Sequence, residues 1–231
     1  MLKNIMSFIK KNYLWIILSV CLIITLNIAE DIFEQEIMKC DTIAYNIFDV
    51  FLRNYYVTIF MKAITNLGSA LVLISISILS FIFIKNKKFS LCIFLNLIFI
   101  TISNQALKFV VQRPRPKGYR LIAESGYSFP SGHSMISMAF YGFLIYLAYA
   151  YIKNKNLKWT ICIALSLLIL LIGTSRIYLG VHYASDVIGG FLISISYLII
   201  YINIINRYIL NTQNTSKNVI YTLLYNHFVI L

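Results

Sequence analysis

Six long apolar runs, separated by short polar stretches, dominate the 231-residue sequence. They cover residues 13–29, 67–84, 89–107, 134–152, 158–174 and 184–205. Each run approaches the ~20 residues that an α-helix needs to cross ~30 Å of hydrocarbon. The pattern therefore predicts an all-α integral membrane protein, built as a bundle of six transmembrane helices.

The segment between the first two runs, residues 30–66, alternates polar and apolar positions instead. Within 41–52, apolar side chains recur at helical spacing, which predicts an interfacial helical segment between the first two spans. These side chains are Ile43, Ile47, Val50 and Phe51. An amphipathic stripe does not identify its partner, so two interpretations stay open: a helix packed over the top of the bundle, or a lid or lateral gate for a lipid tail.

The composition narrows the class of protein. The chain is 60% hydrophobic and 12% charged, whereas soluble domains hold roughly half apolar and a quarter charged residues. An ordinary soluble domain is therefore excluded. Because the loops are short and the polar motifs are scattered among the spans, we expect residues 1–231 to form a single domain. Residues 27–30 offer no small-x-small cleavage site, so we expect the first run to be a retained anchor.

The four cysteines show no pattern of disulfide or metal chemistry. Cys21, Cys92 and Cys162 lie inside apolar runs, and Cys40 stands alone in a loop. Without a paired framework or a CxxC motif, we expect them to be packing residues.

The basic residues predict how the bundle is oriented. With a cytoplasmic N-terminus, eleven of the 20 Lys and Arg and none of the eight Asp and Glu lie on the cytoplasmic side, as membrane proteins favour. Both termini are then expected on the cytoplasmic side, and the protein is expected in the cell membrane. The net charge of +12 is mostly a topology signal, and a nucleic-acid partner is not expected, because no basic stripe lies on a soluble face. The outer loop 108–120 nevertheless carries five cations, which an anionic ligand would explain.

Ionisable residues concentrate in three motifs at the outer ends of the predicted spans. They are residues 108–116 (KFVVQRPRP), 130–133 (PSGH) and 175–186 (SRIYLGVHYASD). Charges at the edge of hydrocarbon cost free energy, so this concentration favours a functional site. In the first motif Lys108 ends a helix, and the flanking prolines enforce an extended path that holds Arg115 in place. Phosphoryl transfer depends on such cations to stabilise charge on oxygen.

The second motif predicts the start of a helix. Pro130 and Ser131 suit the first positions of a helix, and Gly132 lets the backbone approach a ligand closely. The free N–H groups and the positive dipole end of such a helix bind anions. Ser131 would add a hydroxyl, and His133 would lie beside the anion. On its own, the motif is equally typical of a capped helix start with a bystander histidine.

In the third motif His182 and Asp186 are four residues apart, which on a helix places them within hydrogen-bond reach. A carboxylate that binds one ring nitrogen leaves the other free as a nucleophile or base. Arg176 supplies a fork that matches phosphate oxygens. A buried structural histidine or a metal pair would show the same spacing, although only His133 and Glu124 could complete a metal site. From these residues alone, either histidine could be the nucleophile.

Together, the three motifs resemble the signature of the type 2 phosphatidic acid phosphatase and vanadium haloperoxidase superfamily, which reads K-x6-RP, PSGH and SR-x5-H-x3-D. All three are complete and in order, and they cover about 25 residues within 108–186. The six-span layout with a long first outer loop looks like the bacterial membrane branch. Arg113 and His227 match no signature position, and we expect both at the surface.

The resemblance implies a role for each matched residue. His182 would attack phosphorus to form a phosphohistidine, with Asp186 orienting it. His133 would protonate the leaving oxygen and then activate water. The phosphoryl oxygens would be bound by Lys108, Arg115, Arg176, Ser131 and the Gly132 amide. No metal or other cofactor is expected.

We therefore predict a metal-independent membrane lipid phosphatase with its active site at the extracytoplasmic face. The resemblance points first to hydrolysis of undecaprenyl diphosphate to undecaprenyl phosphate, and alternatively to phosphatidylglycerol phosphate or phosphatidic acid. A lipid phosphotransferase would use the same phosphohistidine. A haloperoxidase requires vanadate and is normally soluble, so the six predicted spans argue against this activity. A non-catalytic scaffold or transporter would be expected to lack signature residues, and none is missing here. No feature of the sequence indicates an oligomeric state.

Overall fold

The computed structural model of the chain describes residues 2–34, 38–48 and 53–210, and these residues form eight α-helices and no strand. The helices are α1 (Leu2–Phe33), α2 (Lys39–Asn46), α3 (Tyr55–Asn66), α4 (Ala70–Phe83), α5 (Lys87–Val111), α6 (Gly132–Tyr151), α7 (Lys155–Tyr178) and α8 (Ala184–Tyr208). The predicted all-α class is confirmed.

Five of these helices are long and apolar enough to cross a membrane: α1 from Asn12 onward, α5, α6, α7 and α8. At 1.5 Å per residue, their 20 to 25 residues reach about 30 to 37 Å, which matches the thickness of the hydrocarbon layer. The sixth predicted span is not one straight helix. It is the pair α3 and α4, bent by 45°, which begins at Tyr55 rather than at Leu67.

The bend between α3 and α4 lies at Leu67, Gly68 and Ser69, which leave the helical path. The Ser69 side chain accepts a hydrogen bond from the first turn of α4 and so caps that helix. Leu67 O accepts a hydrogen bond of 2.7 Å from Tyr141 OH on α6. Gly68 packs so closely that a Cβ there would lie 2.8 Å from Ile172 Cγ2 of α7. The bend is thus held against the central helices, where only glycine leaves room for the contact.

Helix α6 is the centre of the bundle and packs against α5, α7 and α8. Its aromatic side chains fill the core, where Phe143 stacks on Tyr146 and meets Tyr201 of α8 edge-on. Helix α1 packs against α8, and α4 packs against α5. Large apolar side chains on these peripheral helices are exposed, such as Leu26 and Leu71. A lipid environment accepts this exposure, because lipid tails are as apolar as leucine.

One end of the bundle carries all three motifs, because α5 and α7 end there while α6 and α8 begin there. The loop of residues 112–131 covers this end, and α2 packs on α7 and α8 beside it. Helix α2 accounts for part of the predicted interfacial segment. Val50 and Phe51 of the predicted stripe lie outside the described residues, as does His227.

The cysteines are free thiols, as the sequence predicts. Cys21, Cys92 and Cys162 are buried among the helices, and Cys40 is partly exposed in α2. The three buried cysteines occupy the positions of packing residues, whereas Cys40 does not lie in the core.

Candidate active site

A cavity of about 1050 Å³ opens where α5 ends, α6 begins and α7 ends. Its polar end is lined by residues from all three motifs: Lys108, Arg115, Gly132, His133, Arg176 and His182. Asp186 is fully buried next to His182. Ser131 is buried too, and its hydroxyl lies 2.9 Å from Ser134 Oγ instead of lining the cavity. The structure therefore brings six of the eight predicted site residues together around one space, with Asp186 and the Ser131 side chain buried behind it.

The first motif leaves α5 through Gln112, whose left-handed backbone (φ 51°) ends the helix and starts the extended segment. Lys108, in the last turn, donates a hydrogen bond of 2.7 Å to Tyr127 O. Arg115 is held by three backbone carbonyls, donating to Ser125 O, Gly126 O and Val181 O at 2.9 to 3.0 Å. These bonds fix the guanidinium before any ligand arrives.

The second motif begins α6, with Ser131 at the N-cap and Gly132 as the first helical residue. The backbone N–H of Ser131 donates to Asp186 O at 3.1 Å, which ties this helix start to α8. Gly132 lines the cavity, and the free N–H groups of a helix start favour an anion at such a position. A Cβ on Gly132 would lie 3.2 Å from Asn104 Oδ1, so the backbone here approaches its neighbours closely.

In the third motif, Arg176 occupies the last turn of α7 and is 1% exposed. It donates to Thr65 Oγ1 of α3 at 2.8 Å and to the Glu124 carboxylate. Its Nε–H is buried without an acceptor. A buried donor without a partner is costly, so this group is ready for an oxygen that a ligand would bring.

The pair formed by His182 and Asp186 spans the start of α8, since His182 lies one residue before the N-cap Tyr183. His182 Nδ1 lies 3.4 Å from Asp186 Oδ2, and Nε2 lies 3.2 Å from Arg115 Nη1. Because arginine only donates, Nε2 is the nitrogen without a proton, and Nδ1 carries the proton toward Asp186. Asp186 Oδ2 also accepts from Ser128 Oγ at 2.6 Å. The imidazole is thus fixed in one tautomer.

Burial, opposed by the hydrogen bond to Asp186, lowers the pKa of His182 to about 4. The imidazole is therefore neutral at pH 7, with a lone pair on Nε2. A neutral histidine of fixed tautomer that faces a group of cations can act as a nucleophile toward an anionic centre.

Residues 89–209, more than half of the chain, match the sequence profile of the PAP2 superfamily. The chain belongs to this superfamily. Phosphatidylglycerophosphatase B of Bacillus subtilis is 34% identical over 148 residues, covering 62% of this chain and 72% of that protein. Undecaprenyl-diphosphatase of Sulfolobus acidocaldarius is 26% identical over 194 residues, covering 80% of this chain and 87% of that protein.

Two solved structures share the fold of this PAP2 protein. The transmembrane PAP2-type phosphatidylglycerolphosphate phosphatase of Bacillus subtilis aligns with a TM-score of 0.70 at 26% identity, over 83% of this chain and 96% of that one. Aquifex aeolicus LpxE aligns with a TM-score of 0.60 at 27% identity, over 73% of this chain and 97% of that one. The chain is therefore a multi-pass membrane protein. It is a hydrolase and belongs to the PAP2 membrane lipid phosphatases.

The PAP2 site contains a carboxylate that the sequence identified only as a possible metal ligand. Glu124 bonds Arg176 and lies 3.8 Å from Arg115 Nη2, so it bridges the two arginines that face the cavity. Burial opposes its ionisation, but the hydrogen bond and charge of Arg176 outweigh burial, and the pKa of Glu124 lies below its usual range. The residue therefore keeps both guanidinium groups paired before a phosphate binds.

The expected surface position of Arg113 is wrong. The residue is 7% exposed and donates to Asp186 Oδ1 at 2.6 Å and to Asp41 Oδ2 of α2 at 3.0 Å. Asp41 is 72 positions away in sequence, and no sequence pattern pairs the two. Only the packing of α2 on the bundle end reveals this contact.

The two cavities at this end of the bundle differ in whether α2 lines them. Asp41, Thr42 and Tyr45 line a separate cavity of about 180 Å³ that also touches His182. Within the described part of the chain, the residues lining the large cavity include none from α2. This favours the interpretation of α2 as a helix packed over the bundle end.

Among the described residues, no three His, Cys, Asp or Glu side chains cluster as a metal site would require. Metal independence stays a prediction.

We predict that His182 makes the folded protein less stable in acid. The pKa of about 4 in the folded chain lies below the ordinary 6.5, so the unfolded chain binds the extra proton between these values. The contribution of the neutral His182 to the free energy of unfolding is complete above about pH 6.5. It is lost as the pH falls toward 4, by about 3 kcal/mol at most. Thermal unfolding in detergent should show a smaller decrease in Tm between pH 7 and 4.5 for His182→Gln than for the wild type. Equal decreases would contradict the buried neutral imidazole.

Proposed function

We propose that this PAP2 protein removes a phosphoryl group from a lipid through a phosphohistidine on His182. The observation that carries the proposal is His182 at a cavity end lined by Lys108, Arg115 and Arg176, with its unprotonated Nε2 3.2 Å from Arg115 Nη1. Asp186 binds the opposite ring nitrogen. A nucleophile, its orienting carboxylate and cations for the phosphoryl oxygens are what such a transfer needs.

In the first step, His182 Nε2 would form a bond to phosphorus while the bond from phosphorus to the lipid oxygen breaks. The leaving oxygen would take a proton from His133, which lines the same cavity. A bound anionic phosphoryl group beside His133 favours its protonated form. In the second step, water would lose a proton to His133 and attack phosphorus, which releases inorganic phosphate and restores His182.

The cations would stabilise charge on the phosphoryl oxygens in both steps. Arg176 has a buried Nε–H without an acceptor, and Arg115 is held in place by carbonyls. The backbone at Gly132 offers the start of α6. Ser131 would act through its backbone, because its hydroxyl faces Ser134.

The shape of the cavity supports a lipid substrate. From Lys108 its lining continues along α5 to Phe94, fourteen residues or about 21 Å away. Apolar residues of α4, including Leu73 and Ile74, form the facing wall. A hydrocarbon chain could lie between α4 and α5 while the phosphate stays at the cations.

The relatives bear on which lipid is used. The relative with 34% identity is named phosphatidylglycerophosphatase B, and the solved structure with a TM-score of 0.70 is a phosphatidylglycerolphosphate phosphatase. The relative with 26% identity is an undecaprenyl-diphosphatase. We therefore propose phosphatidylglycerol phosphate as the first substrate to test and undecaprenyl diphosphate as the second, which reverses the order that the motif resemblance suggested.

We also propose that the chain forms one domain and that the active site lies at the extracytoplasmic face. Lys87 begins α5, whereas Lys108 lies in its last turn, so the basic connector and the site lie at opposite ends of one helix. The α6–α7 connector carries Lys153 and lies at the same end as Lys87. Basic connectors favour the cytoplasm, which leaves the site outside.

We expect His182→Ala to lower phosphate release by at least about 10³-fold, since nothing replaces the nucleophile. The purified protein would be assayed with a lipid phosphate in EDTA, and full activity of the wild type there is the expected result if no metal takes part. Tyr208→Phe, exposed at the far end of α8, is the matched control and should behave like the wild type.

Full activity of His182→Ala would contradict the assignment of the nucleophile. Loss of wild-type activity in EDTA, with recovery on adding a divalent metal, would contradict metal independence. Labelled phosphate that passes to a second lipid instead of water would identify a phosphotransferase.

A substrate panel tests the choice of lipid. Phosphatidylglycerol phosphate, phosphatidic acid and undecaprenyl diphosphate would be compared at equal surface concentration in mixed micelles. We expect kcat/KM to be highest for phosphatidylglycerol phosphate. A clear preference for undecaprenyl diphosphate would restore the order suggested by the motifs.

Cysteine labelling tests the orientation. Starting from Cys40→Ser, which removes the partly exposed thiol, Lys117→Cys and Lys153→Cys place one thiol at each end of the bundle. In intact cells, a membrane-impermeant maleimide should label the first variant and not the second, whereas broken cells should label both. The reverse pattern would place the active site at the cytoplasmic face.

A further inference from the structure

A buried guanidinium connects α2 to the candidate catalytic pair. Arg113 lies between two carboxylates, donating from Nη1 to Asp186 and from Nη2 to Asp41. Nη1 also lies 2.8 Å from Ser185 Oγ, and the guanidinium carbon lies 4.1 Å from the centre of the Tyr183 ring. The guanidinium thus bonds at its edge and packs against an aromatic ring with its face. A planar guanidinium can make these contacts together, whereas a lysine ammonium cannot.

Asp41 in turn binds the first turn of α8. Its Oδ1 accepts from Ser185 N at 2.8 Å, and its Oδ2 accepts from Ser185 Oγ at 2.7 Å. Asp41 is 5% exposed although it belongs to an outer helix of eight residues. A buried carboxylate requires such partners, because an unpaired one would cost several kcal/mol.

The two oxygens of Asp186 have different partners. Oδ2 faces His182 Nδ1, Tyr183 N and Ser128 Oγ. Oδ1 accepts from Arg113 Nη1 at 2.6 Å. The carboxylate is therefore held through both oxygens, and without Arg113 its Oδ1 would lose the donor that helps to fix the plane of the group that aligns His182.

We propose that Arg113 is a positioning residue of the phosphatase reaction and that Asp41 of α2 anchors it. The segment before the second span would then be a working part of the site and not only a cover. This inference rests on the proposed roles of His182 and Asp186.

Charge provides a readout that packing alone would not move. His182 is faced by Arg115 of the loop, Arg176 of α7, His133 of α6 and Asp186 of α8. Farther out lie Lys108 of α5, Glu124, Asp41 and Arg113. Arg113 offsets the negative charge of Asp186. Removing the positive charge of Arg113 should therefore let Asp186 favour the protonated imidazole more strongly, so the pKa of His182 should rise. Removing the negative charge of Asp41 should lower the pKa of His182.

The experiment measures kcat/KM against pH for Arg113→Gln, Asp41→Asn and the double variant, alongside thermal unfolding. For Arg113→Gln we expect kcat to fall about 100-fold through misalignment, and the acid limb of the profile to move up by about one pH unit. For Asp41→Asn we expect a smaller decrease in kcat, with the acid limb unchanged or moved down. Arg113→Lys keeps the charge and should restore the acid limb while recovering kcat only in part.

The double variant separates alignment from folding. Arg113→Gln alone leaves the buried Asp41 without its cationic partner, so it should lower Tm, and adding Asp41→Asn should recover part of that loss. Activity should not recover with it. If activity recovers together with Tm, or if both single variants move the acid limb in the same direction, Arg113 is only structural and the inference is overturned.

Lys117→Gln is the matched control, because it removes one exposed cation from the same loop. It should leave kcat and the acid limb at wild-type values. An inactive wild-type protein would instead contradict the proposed function, whereas an active wild type with an unaffected Arg113→Gln would contradict this inference alone.

Discussion

The carboxylate of Asp186 is the interaction on which the active end of the bundle depends. It accepts hydrogen bonds from the α7–α8 turn at His182 and Tyr183, from the loop before α6 at Ser128, and from the segment after α5 at Arg113. Three segments that are distant in sequence therefore meet at one buried anion. Such a charge is stable only when it is paired and fully hydrogen-bonded, so the loss of one donor weakens the others.

The membrane explains why most of the charges at this end of the bundle are paired. Several charged residues near the site are paired: buried Arg113 with Asp41 and Asp186, and buried Arg176 with the half-buried Glu124. Unpaired charges in this setting cost free energy, yet the reaction of a lipid phosphatase needs several cations at one place. The cations are held by backbone carbonyls and by one carboxylate, Glu124, before the phosphate arrives. The same cavity then changes from charged to apolar along α5, which suits a substrate with a charged head and a hydrocarbon tail.

The sequence predicted some features better than others, for identifiable reasons. The spans were predicted well because length and apolarity are local properties of the chain. The bend at Gly68 was missed because it depends on contacts with Ile172, more than one hundred positions away. Arg113 was placed at the surface because only its packing partners, Asp41 and Asp186, reveal its burial. Glu124 was considered only as a metal ligand, since its arginine partners come from separate motifs.

What the sequence determined by itself was the all-α membrane class, the family and the three motifs, because each is written in contiguous residues. The tertiary structure decided how the motif residues meet: His182 lines the cavity with Nε2 beside Arg115, the Ser131 hydroxyl bonds Ser134 instead, and Arg113 joins Asp186 to α2. These facts depend on the relative placement of helices that are far apart in the chain. Hydrogen bonds and ion pairs act over a few ångströms in space, and spacing along the sequence does not specify those distances.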